Sequence, residues 1–316
     1  MPDGPAPPRG PAGGARRHPR RRAMSGERIV AGVRLSNPDK ILYPEQGITK
    51  GQFADYYVAV AERMLPHVAF RPVTMVRCPT GRGSKCFYQR HAGSGVPEQL
   101  AQVTIPGFDD PYLYISDVAG LVAMVQMGVL EIHPWGVKVE HPEKADRIVF
   151  DLDPDEGLGF DTVIRAAKEV RDRLAALGLT SFVKTTGGKG LHVVVPIEAT
   201  AGWRDVKSFA KGVSAEMAAD APDKYLTKIS KAERAGRIFI DYLRNDPTST
   251  AVAPYSTRSR PGAPVAMPLA WGQVKAGLDP CDYTVATVPA LIARQKADPW
   301  AEIGAVRQCL PDLPRA

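Results

Sequence analysis

The sequence predicts an α+β fold, in which a sheet of order β-α-β-β-α-β is joined to an N-terminal mixed α/β module. Three observations predict it. Apolar runs of strand length stand at 147–152, 181–185, 191–197 and 237–243. Segments with one apolar face at helical spacing separate the first run from the second and the third from the fourth. The middle two runs are separated by a short glycine-rich stretch, Gly187-Gly188-Lys189-Gly190, which reads as a turn.

Residues 1–26 are rich in Pro, Gly and Ala, have no hydrophobic period and are expected to be disordered. They hold Arg9, Arg16, Arg17, Arg20, Arg21 and Arg22 against Asp3, and so carry five of the seven net positive charges of the 316-residue chain. The rest is nearly neutral, and any phosphate binding must come from local patches. The tail reads either as an arm that touches nucleic acid or targets the chain, or as upstream sequence translated ahead of a start at Met24. Residues 27–308 are expected to form one domain, with a module at 27–145, the sheet at 146–245 and a C-terminal wrap at 246–308; 309–316 is a short tail.

In the first module, residues 51–65 read as a helix with Phe53, Tyr56, Tyr57, Val60 and Met64 on one stripe, and a second, apolar helix covers 117–129. Arg147–Leu152 is a strand that Pro154 stops. Asp161–Gly178 is a helix with Asp161 as N-cap and Gly178 as C-terminal cap; Val163, Ala167, Val170, Leu174 and Leu177 form its apolar face. Ser181–Thr185 and Leu191–Ile197 are strands, the second apolar enough to be central. Trp203–Ala219 is a helix and Arg237–Leu243 the last strand. In such an RRM-like sheet the first and third strands are central and the fourth lies beside the first. The Tyr283–Ile292 segment is expected to wrap back onto the sheet.

Composition, 44% hydrophobic and 24% charged, is that of a soluble globular protein. No apolar run is long enough to span a membrane, and the N-terminus lacks the apolar segment of a secretory signal. Cys78, Cys86, Cys281 and Cys309 show no CxxC pairing. Neither a zinc site nor disulfides are indicated, and reduced thiols in a cytoplasm are expected.

The chemistry starts at Asp151 and Asp153, one residue apart on a strand and so on one face. An apolar run that ends in two like charges calls for a cation, and a divalent metal suits carboxylate oxygens. A solvated strand end is the plain alternative. Asp241 strengthens the metal reading, because it too is an acid at a strand position, in Ile238-Phe239-Ile240-Asp241. Three carboxylates suit two divalent ions in phosphoryl transfer. The expected topology sets His192 beside them. The glycines before it let backbone approach a phosphate, although the spacing is not that of a P-loop. Arg258 and Arg260, two apart, would clamp a triphosphate if extended. Phe87 and Tyr88, beside Lys85 and Arg90, are candidates to stack on bases; alone they would read as a core pair.

Taken together, Asp151-Leu152-Asp153-Pro154, Thr185 to His192 and Phe239-Ile240-Asp241-Tyr242 resemble the archaeo-eukaryotic primase superfamily, most closely the polymerase domain of bacterial DNA ligase D. The opening from Leu35 to Lys50 looks like that family's, and the likeness covers residues 28–308. It implies a primase-polymerase fold and a template-dependent nucleotidyltransferase that extends primer 3′ ends and fills short gaps in non-homologous end joining. It implies two manganese (or magnesium) ions held by Asp151, Asp153 and Asp241, and an NTP or dNTP held by Thr186, Lys189, His192, Arg234, Arg258 and Arg260, with His133 near the sugar. Asn37, Lys40 and Lys50 would bind the 5′-phosphate across a gap, and Phe87 and Tyr88 would stack on template bases. Ku and a ligase module are implied as partners, and the bacterial cytoplasm, at the nucleoid, as the location. Thr186 stands where the family usually has Ser, and Tyr88 where many relatives have Phe; hydroxyl and ring are both kept. No KxDG motif is found, so no ligase is expected within this chain. Three other readings compete: a primase that starts primers de novo, a metal-dependent glycosyltransferase, and a non-catalytic DNA-end binder. The glycosyltransferase leaves Asp241 and the phosphate-binding Lys and Arg residues unexplained.

Overall fold

The computed structural model describes Gly4 and residues 26–311. The expected disordered tail therefore lies almost wholly outside the described residues, as does the end of the short C-terminal tail.

Two small hairpins open the fold: β1 (Arg28–Val30) with β2 (Val33–Leu35), and β3 (Ile41–Tyr43) with β4 (Ile48–Thr49). Helix α1 (Lys50–Val68) starts at a Thr49 capping box with Gln52, and buries Phe53, Tyr56, Tyr57, Val60 and Met64, the expected stripe. A five-stranded antiparallel sheet follows. Its central strand β5 (Val73–Arg77) pairs with β6 (Phe87–Gln89), β8 (Tyr112–Tyr114) and β9 (Val129–Pro134), and β7 (Ala101–Val103) pairs with β8. Helix α2 (Val118–Gln126), capped by Asp117, packs against α1.

The second sheet carries the expected order. Strand β10 (Arg147–Pro154) leads to helix α3 (Phe160–Ala176), then β11 (Phe182–Thr185), β12 (Leu191–Pro196), helix α4 (Trp203–Asp220), β13 (Tyr225–Leu226) and β14 (Ile238–Asp241). Neighbours run β13-β14-β10-β12-β11-β15, where β15 (Pro268–Leu269) is a short edge strand from the C-terminal wrap. The fourth strand of the motif, β14, lies beside the first, β10. The third, β12, is central. Leu191, Val193 and Val195 of β12 are fully buried, as are Ile148, Phe150 and Leu152 of β10. One continuous apolar core joins this sheet to the first module.

Four expectations need correction. Strand β10 runs two residues past the expected Leu152 and ends at Pro154, which pairs with Ile238. Asp161 lies inside α3, whose N-cap is Gly159; Gly178 does cap it, with Leu179 N–H on the Leu174 carbonyl at 2.9 Å. The segment at Tyr283–Ile292 forms α5 (Val288–Arg294) against α1, not against the catalytic sheet, because Val288 and Ile292 bury there. The sheet is instead covered by Trp300, which packs on Val149 and Val194 and donates to the Val183 carbonyl at 3.0 Å. Finally, Cys78 and Cys86 form a disulfide. The β5–β6 register pairs Arg77 with Phe87, so the next positions out face each other without any CxxC spacing. Cys281 and Cys309 are free and exposed. Among the described residues no helix is long and apolar enough to cross a membrane.

Candidate active site

Asp151 and Asp153 share one face of β10 with Arg147 and Val149, because side chains alternate along a strand. The register then assembles a row. Asp151 pairs with His192 on β12 and with Asp241 on β14, and His192 pairs with Lys184 on β11. Lys184, His192, Asp151 and Asp241 therefore run side by side across four neighbouring strands. Directly opposed residues of antiparallel strands have Cβ atoms roughly 5 Å apart. The Asp151 and Asp241 carboxylates are thus within reach of one cation. Asp153 lies one pleat further along, with Phe239 across from it.

The row opens on a cleft of about 260 Å³ lined by Tyr88, His133, Asp151, Asp153, Thr186, Lys189, His192, Arg244, Arg258 and Arg260, among others. Most of the residues expected to hold a metal or nucleotide therefore meet in one place. Arg234 reaches it from the side through Asp153.

A guanidinium already bridges the two opposed acids. Arg244 Nη2 lies 3.1 Å from Asp151 Oδ2 and 3.1 Å from Asp241 Oδ2. His192 Nε2 stands 3.3 Å from the other Asp151 oxygen. Burial alone would lift Asp151, but His192, Arg244 and Lys184 outweigh it and hold the carboxyl below the usual range. Burial, with Lys184 nearby, draws His192 down to about 4. Arg244 is the permanent cation beside Asp151. Asp241 shifts the other way: burial raises it, Arg244 offsets only part, and the Asp151 charge adds to the rise. Asp153 accepts from Arg234 Nη1 at 2.7 Å, and that guanidinium lies 4.3 Å above the Phe239 ring. Among the described residues no three His, Cys, Asp or Glu side chains already surround one point. Arg234 draws Asp153 aside while Arg244 sits between the other two.

The glycine turn closes the cleft from the β11–β12 side. Thr186 Oγ1 donates to the Gly190 carbonyl at 3.1 Å, so this hydroxyl braces the turn. A Cβ at Gly190 would lie 2.5 Å from the Leu152 carbonyl, between the two acids of β10. Gly187 has φ +65°, and a Cβ there would lie 2.6 Å from Arg258 Cγ. The turn needs glycine because strand and arginine both touch its backbone. Arg258 Nε donates to Glu131 at 2.8 Å and its Nη1 to the Thr186 carbonyl at 2.7 Å. Glu131 also meets His133 Nε2 at 2.8 Å and accepts from Ser259. Burial would raise Glu131, but His133 and Arg258 overcome it and hold it ionised below the usual range. Lys189 and Arg260 are exposed at the rim.

The other expected residues form two groups. Asn37, Lys40 and Lys50 cluster at the first hairpins, joined by Lys40 N–H to the Asn37 carbonyl and Lys50 N–H to the Lys40 carbonyl. Lys40 Nζ donates to the Pro79 carbonyl, and Lys50 Nζ to the Ser36 carbonyl at 3.0 Å and to Gln126 at 2.8 Å. Burial and the neighbouring Lys40 draw Lys50 down to about 8. Phe87 and Tyr88 are exposed, by 41% and 73%, and so are not a core pair. As neighbours on β6 they point to opposite faces: Tyr88 lines the cleft, and Phe87 lies under Arg77.

Glu131, Lys184 and Arg244 were not among the residues expected at the site. Glu131 stands two before His133 on a strand, and Arg244 three after Asp241, which are spacings that put each beside its partner.

A sequence model described as LigD, primase-polymerase domain, matches residues 49–300. The chain belongs to this family. It is 35% identical over 91% of its length to the multifunctional non-homologous end joining protein LigD of Pseudomonas aeruginosa, and 36% identical over 77% to that of Mycolicibacterium smegmatis. It spans about a third of the length of these relatives, 35% and 32%. Its fold matches the polymerase domain of Mycobacterium tuberculosis ligase D, solved in complex with DNA, with a TM-score of 0.80 at 32% identity, over 89% of this chain and 99% of that one. LigD primase-polymerase domains are nucleotidyltransferases that act on DNA and generally use divalent metals. The donors here fit such ions: Asp151 and Asp241 offer hard oxygens on either side of a cationic group, and Asp153 adds a third carboxylate on the same face.

Proposed function

We propose that this chain is a template-dependent polymerase that extends primer 3′ ends and fills short gaps during double-strand-break repair by non-homologous end joining. The observation that carries this reading is the register placing Asp241 opposite Asp151, which with Asp153 lines a cleft that also holds Lys189, Arg258 and Arg260.

Asp151, Asp153 and Asp241 would hold two divalent ions, manganese or magnesium. When bound, such ions supply an acidified primer hydroxyl and charge neutralisation on the leaving phosphate. The chain's own groups do the positioning. Lys189 and Arg260 meet the triphosphate as cations at the rim, and Arg258, anchored by Glu131, meets it from a fixed direction. His192, 3.3 Å from Asp151, donates to phosphate or holds Asp151 in place. The Thr186 hydroxyl stiffens the turn against which the phosphates lie. His133, oriented by Glu131, borders the sugar. Asp153 must leave Arg234, and Arg244 must swing out from between Asp151 and Asp241, for all three acids to act as ligands. That exchange couples substrate arrival to site assembly. Tyr88, on the cleft side of β6, stacks on template bases, whereas Phe87 faces away under Arg77 and does not share that role; Asn37, Lys40 and Lys50 take the 5′-phosphate beyond the gap. Ku and a ligase module are the partners that fit this role, in a bacterial cytoplasm at the nucleoid.

Primer extension on a gapped duplex tests the reading, with manganese and either ribo- or deoxynucleotides. Template-directed incorporation is expected, and loss of it in Asp153→Ala without loss of duplex binding. Incorporation that ignores the template base, or survives Asp153→Ala, contradicts the reading.

A further inference from the structure

Away from the cleft, a cavity of about 640 Å³ opens between the C-terminal wrap and the start of β10. Its inner wall holds Arg71, Lys138, Arg147, His67 and Asp146. Arg71 is 2% exposed, and the Arg147 side chain 14%. Asp146 is the one carboxylate in contact with these cations, and Glu140 acts on Lys138 at longer range. Asp146 takes both Arg71 terminal nitrogens, and Arg147 Nε stands 3.6 Å from it. Arg71 Nε is buried with no partner. Arg147 makes its other contact with the His67 carbonyl at 3.4 Å, and Lys138 Nζ donates to the Ala69 carbonyl at 2.7 Å, both neutral acceptors.

Three cations around one carboxylate, largely out of water, form an expensive arrangement unless a further negative charge joins them. Burial is the largest influence on the titration of the group, and the neighbouring cations act in the same direction. Burial, then Arg71, draws Arg147 down to about 9, and burial with Arg71 and Arg147 draws Lys138 to about 8. Burial with Arg147, Arg71 and Lys138 draws His67 to about 3, so it adds no charge at neutral pH. The mouth continues the trend with Arg63, Lys296 and Arg307 against Glu62 and Asp298, and Asp298 already accepts from Tyr255 and Trp300. A tetrahedral oxyanion has enough acceptor oxygens to meet a guanidinium and an ammonium together. Arg147 is four residues from Asp151 along β10, roughly 13 Å at strand spacing. The cavity is therefore separate from the catalytic row.

We propose that this cavity is a second anion site, taking a phosphate-type oxyanion between Lys138, Arg147 and the mouth cations Lys296 and Arg307. The phosphate belongs either to a free phosphate or phosphate ester, or to the backbone of a bound DNA strand. The inference stands independently of the polymerase reading.

Calorimetric titration with inorganic phosphate at constant ionic strength tests it. One phosphate per chain is expected to bind Arg258→Ala/Arg260→Ala/Lys40→Ala/Lys50→Ala, which lacks the cleft arginines and the 5′-phosphate lysines, with an affinity also found among the sites of the wild type. Binding at least tenfold weaker is expected for Lys138→Gln. The pair Lys296→Gln/Arg307→Gln, exposed at the mouth, gives the same reading should Lys138→Gln fold poorly. No saturable binding by the wild type overturns the proposal. So does binding that vanishes with the cleft arginines and the 5′-phosphate lysines and is untouched in the cavity variants. Adding a gapped duplex separates the sources: displacement of phosphate assigns a backbone phosphate, and unchanged binding a free one.

Discussion

Arg244 sets one guanidinium against two carboxylates, Asp151 and Asp241, at 3.1 Å from each. Without it the two acids would face each other half out of water with nothing between. Arg244→Gln is therefore expected to lower metal-free stability by about 1–3 kcal/mol, a loss of several degrees in Tm. Manganese should then raise the Tm of the variant more than that of the wild type. Equal melting of the two proteins without metal would count against this role. His67 gives a second test at the same scale. Its folded pKa of about 3 lies below the unfolded value, near 6.5. Between those values the unfolded chain binds the extra proton, so stability is lost as pH falls from about 6.5 toward 3. The loss approaches about 1.4 kcal/mol per pH unit for this one site. Melting curves at stepped pH should show the slope, and His67→Gln should flatten it. An unchanged slope in that variant would refute the assignment.

At the scale of elements, the glycine turn and β10 work as a pair. Gly190 lets the turn touch the Leu152 carbonyl between Asp151 and Asp153. Gly190→Ala must push the turn, the strand or both. The expected result is a rise in KM for the nucleotide of tenfold or more, with the fold retained. An unchanged KM would mean that the turn does not position the triphosphate. The catalytic sheet was legible in the sequence because its strands are runs with clear period, and because β-α-β-β-α-β order dictates which strands touch. That put Asp151, His192 and Asp241 together before any coordinates. In the first module the two helices were legible, and the sheet was not. Phe87–Gln89, Ala101–Val103 and Tyr112–Tyr114 are three residues each, too short to show alternation; the first and third are placed by pairing with Val73–Arg77, and the second by pairing with the third. The Cys78–Cys86 bond was hidden for the same reason, since it follows from hairpin register. Arg244 and Glu131 were missed because their roles depend on which buried acid or cation they meet.

At the scale of the whole molecule, the elements that carry the cleft and those that carry the Asn37–Lys40–Lys50 cluster pack on one continuous core. A gapped duplex that places its primer end at the first and its 5′-phosphate at the second would touch both. Lys40→Ala with Lys50→Ala is expected to erase the preference for a 5′-phosphorylated gap while basal extension persists. Competition between phosphorylated and unphosphorylated gaps measures this, and a preference that survives the double substitution would exclude the cluster as the phosphate site.

Catalysis at this cleft requires Asp241 and Asp151 to share divalent ions in place of Arg244. A manganese titration followed by the free-ion paramagnetic resonance signal, with a non-hydrolysable nucleotide present, tests this directly. Two bound ions are expected for the wild type and at least one fewer for Asp241→Asn. A variant that still binds the full complement with wild-type affinity would contradict the account.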